Sequence, residues 1–170
     1  TINGIDSSNK TAYEVEKEIA GKKDNYAIQV RSRMQDPQII TGKDIDYQYV
    51  SSGAVLKLLK AQKPYKWIKS FFEKSNYMLQ EDAVFSREKL QEQVRSLNCA
   101  QKEKQIAPEN AYVSFNNSEF TIVPETEGNE LNTKEAYQMI SGAIDNEAAE
   151  VDLESDPKAY KKADVTRDSA

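Results

Sequence analysis

The sequence predicts an α+β fold of antiparallel sheets and hairpins with about four helices. Three observations predict it. Apolar residues alternate at period two at 26–30, and short runs at 111–115 and 119–123 flank the turn residues Asn116-Asn117-Ser118 as the two arms of a hairpin. Elsewhere, most clearly at 136–144, they recur at i, i+3, i+4, the period of an amphipathic helix. The chain has 170 residues, 38% of them hydrophobic, which allows one medium domain or two small lobes with modest cores. The organisation expected is a module over residues 1–157, either one core or two sub-lobes at 1–100 and 101–157, and a linker or tail at 158–170.

Residues 1–6 read as a short strand. Thr11 and Glu14 then have the spacing of a capping box, in which a hydroxyl and a carboxylate satisfy backbone N–H groups left free by the first helical turn. Val15 and Ile19, four apart, share the buried face, and Gly21 marks the expected stop. Tyr26, Ile28 and Val30 alternate as a half-buried strand, and Ile39-Ile40 begins its hairpin partner after Asp36-Pro37. Gly42 to Tyr47 resembles a turn into a short strand. Val55, Leu56, Leu58 and Leu59 make a short helix ended by Pro64, followed by an aromatic stretch and an extended piece at Tyr77-Met78-Leu79. Ser86 is placed to cap a helix that buries Leu90, Val94 and Leu97. Strands at Ala111–Phe115 and Glu119–Val123 flank the turn residues Asn116-Asn117-Ser118. Pro124 cannot donate to a sheet ladder and ends the second strand; Gly128 and Asn129 permit a tight loop; Asn132 and Glu135 repeat the cap spacing. A helix burying Ala136, Met139, Ile140, Ala143 and Ile144 follows, and Val151 and Leu153 suggest a closing strand.

Charge narrows the function classes. A net charge of -5 and a pI near 5.0 give a polyanion no electrostatic reason to bind, so neither nucleic acid nor an anionic membrane surface is an expected partner. No window approaches the roughly 18 apolar residues of a membrane span, and no basic and apolar leader opens the sequence, so a soluble piece is expected. One cysteine excludes an internal disulfide framework. The chain has no histidine, the side chain most used for general acid/base work and catalytic zinc. No cofactor is expected.

Certain residues carry a family resemblance. Thr1-Ile2-Asn3-Gly4-Ile5-Asp6 with Lys10 to Glu14, the Pro108-Glu109-Asn110-Ala111 entry to a hairpin, and above all Phe120-Thr121-Ile122-Val123-Pro124-Glu125 with Gly128 and Leu131 are the residues concerned. Across roughly residues 1–165 the chain resembles the peptidoglycan-binding module that precedes the catalytic domain of bacterial L,D-transpeptidases and also occurs in VanW-like cell-wall proteins. The resemblance implies an extracytoplasmic, cell-wall position, with membrane attachment only through an N-terminal anchor outside this sequence. It further implies peptidoglycan and a C-terminal L,D-transpeptidase domain of the same chain as partners. This sequence holds neither a histidine nor that enzyme's Ser/His-x-Gly-Cys motif, so the piece itself is expected to be non-catalytic.

Glu125 and Glu127, at the strand-to-helix corner, admit three readings: a carboxylate pair for glycoside hydrolysis, which needs two acids flanking a sugar cleft; a ligand contact; or a polar corner in which Glu125 accepts backbone N–H bonds while Glu127 is solvated. The last is preferred. Tyr65 and Trp67, within the cluster that includes Phe71 and Phe72, offer flat apolar faces to a sugar ring, and Lys66, Lys69 and Lys74 could meet the carboxylates of wall peptides. Ile68, Phe71 and Phe72 have the helical spacing of a core instead. Tyr47 and Tyr49 are lesser candidates. Cys99 would need a cationic neighbour, Lys102 or Lys104, to act as a nucleophile, and is expected to be packed near a helix end. Asp44 and Asp46, and Asp152, Glu154 and Asp156, lack the spacing of a calcium loop.

Overall fold

A computed structural model of the chain describes residues 1–2, 4–61, 82–116 and 119–169. Among these residues the fold is α+β, with four α-helices and three small sheets. The helices are α1 (Ala12–Lys23), α2 (Ala54–Ala61), α3 (Arg87–Ser96) and α4 (Thr133–Asp145). The strands are β1 (Ala27–Ser32), β2 (Gln35–Thr41), β3 (Gln48–Val50), β4 (Asp82–Val84), β5 (Tyr112–Asn116), β6 (Glu119–Val123) and β7 (Glu150–Asp152). They belong to two compact units that are not consecutive in sequence: Thr1–Tyr26 with Thr41–Ser86, and Ala27–Ile40 with Arg87–Ala170. The division falls at 26/27, 40/41 and 86/87, whereas the two-lobe alternative from sequence placed one boundary near residue 100.

The first unit is built on α1. Its capping box forms as spaced: the Thr11 N–H donates to Glu14 Oε2 at 2.7 Å, and the Glu14 N–H donates to Thr11 Oγ1 at 3.3 Å. Val15 and Ile19 are buried with Ile2, Ile5 and Val55, and Ala12, Tyr49 and Leu58 pack against that cluster. The helix runs through Gly21, which stays helical, to Lys23. The described residues of 1–6 do not form a strand. The backbones of Ile2 and Ile5 bond each other in both directions, at 2.9 and 2.8 Å, and Gly4 supplies the left-handed φ of 72° that the reversal needs. The turn drives both isoleucines inward. Strand β3 pairs antiparallel with β4, Tyr49 facing Ala83. Between β2 and β3, Thr41 donates from its backbone and its hydroxyl to Asp44 Oδ2 at 2.9 and 2.6 Å. Asp44 is thereby a cap for a short 3₁₀ turn.

The second unit centres on a three-stranded sheet of order β2-β1-β7. Ile28 and Val30 alternate inward from β1 as the period predicts. The link from β1 to β2 is only Arg33 and Met34, too short for anything but an antiparallel pair, and Met34 takes the left-handed φ of 57°. In addition to the hairpins, β7 pairs with β1 in parallel, Val30 against Val151, across more than a hundred residues of chain. Leu153, expected to extend that strand, starts a 3₁₀ turn instead and is fully buried. Helices α3 and α4 pack on each other. Leu90, Val94 and Leu97, and Ala136, Ile140 and Ile144, are their buried stripes. Asn132 stands at the N-cap of α4 but its side chain makes no cap bond; its backbone N–H donates to the Ala159 carbonyl at 2.7 Å. Residues 158–169, read from sequence as a linker or tail, pack on this unit. Ala159 and Tyr160 are buried, Leu131 bridges Tyr160, and the Ala111 N–H donates to the Val165 carbonyl at 2.9 Å.

Candidate functional site

Residues 124–129 form the acidic corner, and its chemistry is spent within the fold. Glu125 Oε2 accepts the Arg167 backbone N–H at 2.8 Å. That bond, reinforced by a second backbone N–H and the Arg167 charge, holds the Glu125 carboxyl below its ordinary 4.5. Glu127, 78% exposed, pairs with the Arg33 guanidinium at 3.0 Å. Arg33 is the hub, its side chain only 18% exposed. It also donates to Glu154 Oε1 at 3.0 Å and to the Gly128 carbonyl at 3.0 Å, and lies 4.7 Å from the Tyr160 ring centroid. Its backbone N–H donates to the Tyr160 hydroxyl at 2.7 Å. The two glutamates thus serve different partners, one the C-terminal segment and the other the β1–β2 turn. Glu125 is the polar-corner residue anticipated, whereas Glu127 is ion-paired as well as exposed.

Next to them, Gly128 and Asn129 bind the loop before β5. A Cβ on Gly128 would lie 2.2 Å from the Ile106 carbonyl oxygen and 2.6 Å from Pro108 N, so only hydrogen fits. Asn129 is buried; its amide oxygen accepts the Ile106 N–H at 2.5 Å, and its backbone N–H donates to the Ile106 carbonyl at 2.9 Å. The sequence cast both residues as loop formers, and contact with residues 104–108 is what requires them.

The β5–β6 hairpin is the opposite case. Its register sets Val113 against Ile122 and Phe115 against Phe120, so alternation puts all four side chains on one face. The two phenyl rings stand 4.7 Å apart, tilted by 46°. The face is open to water: Val113 is 58% exposed, Phe115 62%, Phe120 77% and Ile122 46%. Among the described residues the hairpin is tied down at its root, by the reciprocal 3.1 Å backbone bonds of Glu109 and Thr126 and by Asn110 Oδ1, which accepts the Asp164 and Val165 N–H groups at 2.8 and 3.1 Å. Sequence reasoning found this hairpin but not its face. The signal was the run Val113, Phe115, Phe120, Ile122, which only the pairing register resolves into one patch.

Tyr65, Trp67, Phe71 and Phe72 lie outside the described residues, as does the extended piece at 77–79. Tyr47 is buried and stacked on Tyr26, with ring centroids 4.5 Å apart. Cys99 is buried in the 3₁₀ turn after α3, and desolvation raises its thiol above the ordinary 9.0, the reverse of what a nucleophile needs. Lys104 is committed to Asn98 Oδ1. Among the described residues no group of three or more Asp, Glu, Cys or His side chains could hold a metal ion, and no helix is long and apolar enough to cross a membrane. Asp152 accepts the Glu154 N–H at 2.9 Å and Asp156 the Lys158 N–H at 2.8 Å, as turn residues do.

An α+β framework whose two corner glutamates are paired within the fold, and which presents an apolar hairpin to solvent, has the features of a binding module. A family comparison gives the class a name: residues 39–152 match the model described as "Putative peptidoglycan binding domain". The match spans more than half of the 170 residues, and the chain belongs to that family. The family is one of binding domains rather than catalytic ones, and it implies peptidoglycan as partner and association with the cell wall. No curated protein and no solved structure matches the chain.

Proposed function

We propose that the chain is a non-catalytic, extracytoplasmic module that positions an L,D-transpeptidase on peptidoglycan during wall crosslinking, the enzyme being a C-terminal domain of the same polypeptide. The family match carries the wall-binding part of this reading. The chain's own residues support its non-catalytic part: there is no histidine, the one thiol is buried and kept protonated, and the corner glutamates hold Arg33 and the Arg167 backbone. Attachment to the membrane would come from an anchor preceding Thr1. Of the four ligand contacts nominated by sequence, Glu125 and Glu127 already have partners within the unit, so Tyr65 and Trp67 carry that part of the proposal. Incubating the purified chain with isolated sacculi and pelleting them tests the reading. Enrichment in the pellet over an acidic control protein of similar size is expected, and none would sink it. The acidic corner's internal use also favours a second reading, a spacer with no glycan affinity, which predicts a pelleted fraction equal to the control.

A further inference from the structure

We infer that the exposed apolar face of the β5–β6 hairpin, Val113, Phe115, Phe120 and Ile122, is a docking surface for the sugar rings of a glycan strand. The inference deepens the wall-binding reading and rests on it. Apolar side chains on a two-stranded ribbon gain nothing from water, and a single hairpin is at best marginally stable unless one face is covered. Here the covered part is the root, while the face carries two phenyl rings at 62% and 77% exposure. Such a patch is of the kind that marks a recognition surface.

Its size selects the occupant. Four side chains about half to three-quarters exposed present on the order of 400 Å². A specific protein interface takes about 800 Å² from each partner, so a second copy or a folded domain would be held too weakly by this face alone. A narrow ligand of low relief fits that area. Phenyl rings suit the flat C–H faces of pyranose rings and the methyl groups of N-acetyl substituents, and neither demands a charged partner. The face has no lysine or arginine, which disfavours capture of the free carboxylates of wall peptides. The polar side chains Ser114, Asn116, Glu119 and Thr121 alternate onto the other face.

The test uses the full chain labelled with ¹⁵N and, as probe, a soluble β-1,4-linked tetramer of N-acetylglucosamine. The largest amide shifts are expected at 112–116 and 119–123, and Phe115→Ser with Phe120→Ser should weaken binding at least tenfold, equivalent to about 1.4 kcal/mol. Phe115→Tyr with Phe120→Tyr should retain it, as should Ser114→Asn with Thr121→Asn on the other face. Absence of tetramer binding, shifts confined to other residues, or undiminished binding by the double serine variant would overturn the inference. So would hairpin shifts that depend on protein concentration alone, since they would report self-association. The sacculus assay separates the two claims. Wild-type protein that pellets while the serine variant pellets equally sinks the hairpin's role and leaves the wall reading intact. Tetramer binding at the hairpin without pelleting sinks the wall reading and leaves the saccharide surface.

Discussion

The acidic corner and the β5–β6 hairpin are adjacent in the chain and opposite in how they use their side chains. At the corner, charged and polar groups that resemble a catalytic or metal site are consumed by the fold: Glu125 by Arg167, Glu127 by Arg33, Asn129 by Ile106. On the hairpin, residues that resemble core are left in water, Phe120 most of all. Residue type alone therefore points the wrong way at both places. The partners decide: a carboxylate with a backbone donor at 2.8 Å is architecture, and an unburied phenyl pair is available surface.

If that contrast is right, substitutions at the corner should cost stability and substitutions on the hairpin should cost binding. The largest expected effect is at Gly128. Any Cβ there meets backbone, not a movable side chain, at 2.2 Å from the Ile106 oxygen. Gly128→Ala should destabilise by about 3 kcal/mol or more, or prevent folding, as read by urea denaturation and soluble yield. A loss under about 1 kcal/mol would show that the 104–108 loop can shift aside. Asn129→Ala comes next, because it removes the acceptor of the Ile106 N–H from a buried site; about 1–3 kcal/mol is expected.

Arg33 sharpens the comparison further. Arg33→Met keeps much of the stem's packing but deletes the bonds to Glu127, Glu154 and the Gly128 carbonyl, so about 1–2 kcal/mol should be lost. Glu127→Gln, on a side chain 78% exposed, should cost only a few tenths of a kcal/mol. Equal losses for the two would mean that Arg33 acts through Glu127 alone. On the hairpin, Phe115→Ser with Phe120→Ser removes one exposed cross-strand pair, worth about 0.2–1 kcal/mol. A loss as large as that of Asn129→Ala would show that the face is part of a core and not a free surface.

Much of the fold was legible in the sequence because local signals agreed with the global result. The Thr11–Glu14 box, the inward Ile28 and Val30, Leu90 and Val94 of α3, and Ala136, Ile140 and Ile144 of α4 stand where period and capping placed them, while Met139 and Ala143 are only half-buried. The illegible parts depend on distant partners. Asn132 has cap spacing, yet its backbone N–H is taken by Ala159, a residue in a stretch too poor in large apolar side chains to read as packed. The parallel pairing of β1 with β7 has no local mark at all. Ile2 and Ile5 read as strand because turn and strand share the same apolar pair, and Gly4 alone distinguishes them. At the site, the internal use of both glutamates was half visible: the corner geometry followed from Pro124 and Gly128, but no pattern could assign Arg33 to Glu127 across the chain. The phenyl face depended on the pairing register of β5 with β6, which the residues of either strand alone do not fix.

The smallest expected effect, and a sensitive one, is acid dependence. Backbone hydrogen bonds depress Glu125 and Glu14 below their ordinary 4.5, and bonds from the Thr41 side chain and backbone depress Asp44 below its ordinary 3.8. A depressed carboxylate stabilises the native state above its unfolded value, and that contribution fades as the pH falls through the folded one. The unfolded chain binds the proton first. Stability should therefore be flat near neutrality and decline below about pH 4.5, gently, because these groups face solvent. Replacing Glu125 with Gln removes one such carboxylate, so its urea midpoint should start slightly lower near neutral pH and fall less steeply in acid than that of the wild type. The Phe115→Ser, Phe120→Ser protein should run parallel to the wild type at every pH, since its rings titrate nothing. An acid slope left unchanged in Glu125→Gln would mean that the Arg167 N–H does not hold this carboxylate in solution, and the corner would then regain a charge free to meet a ligand.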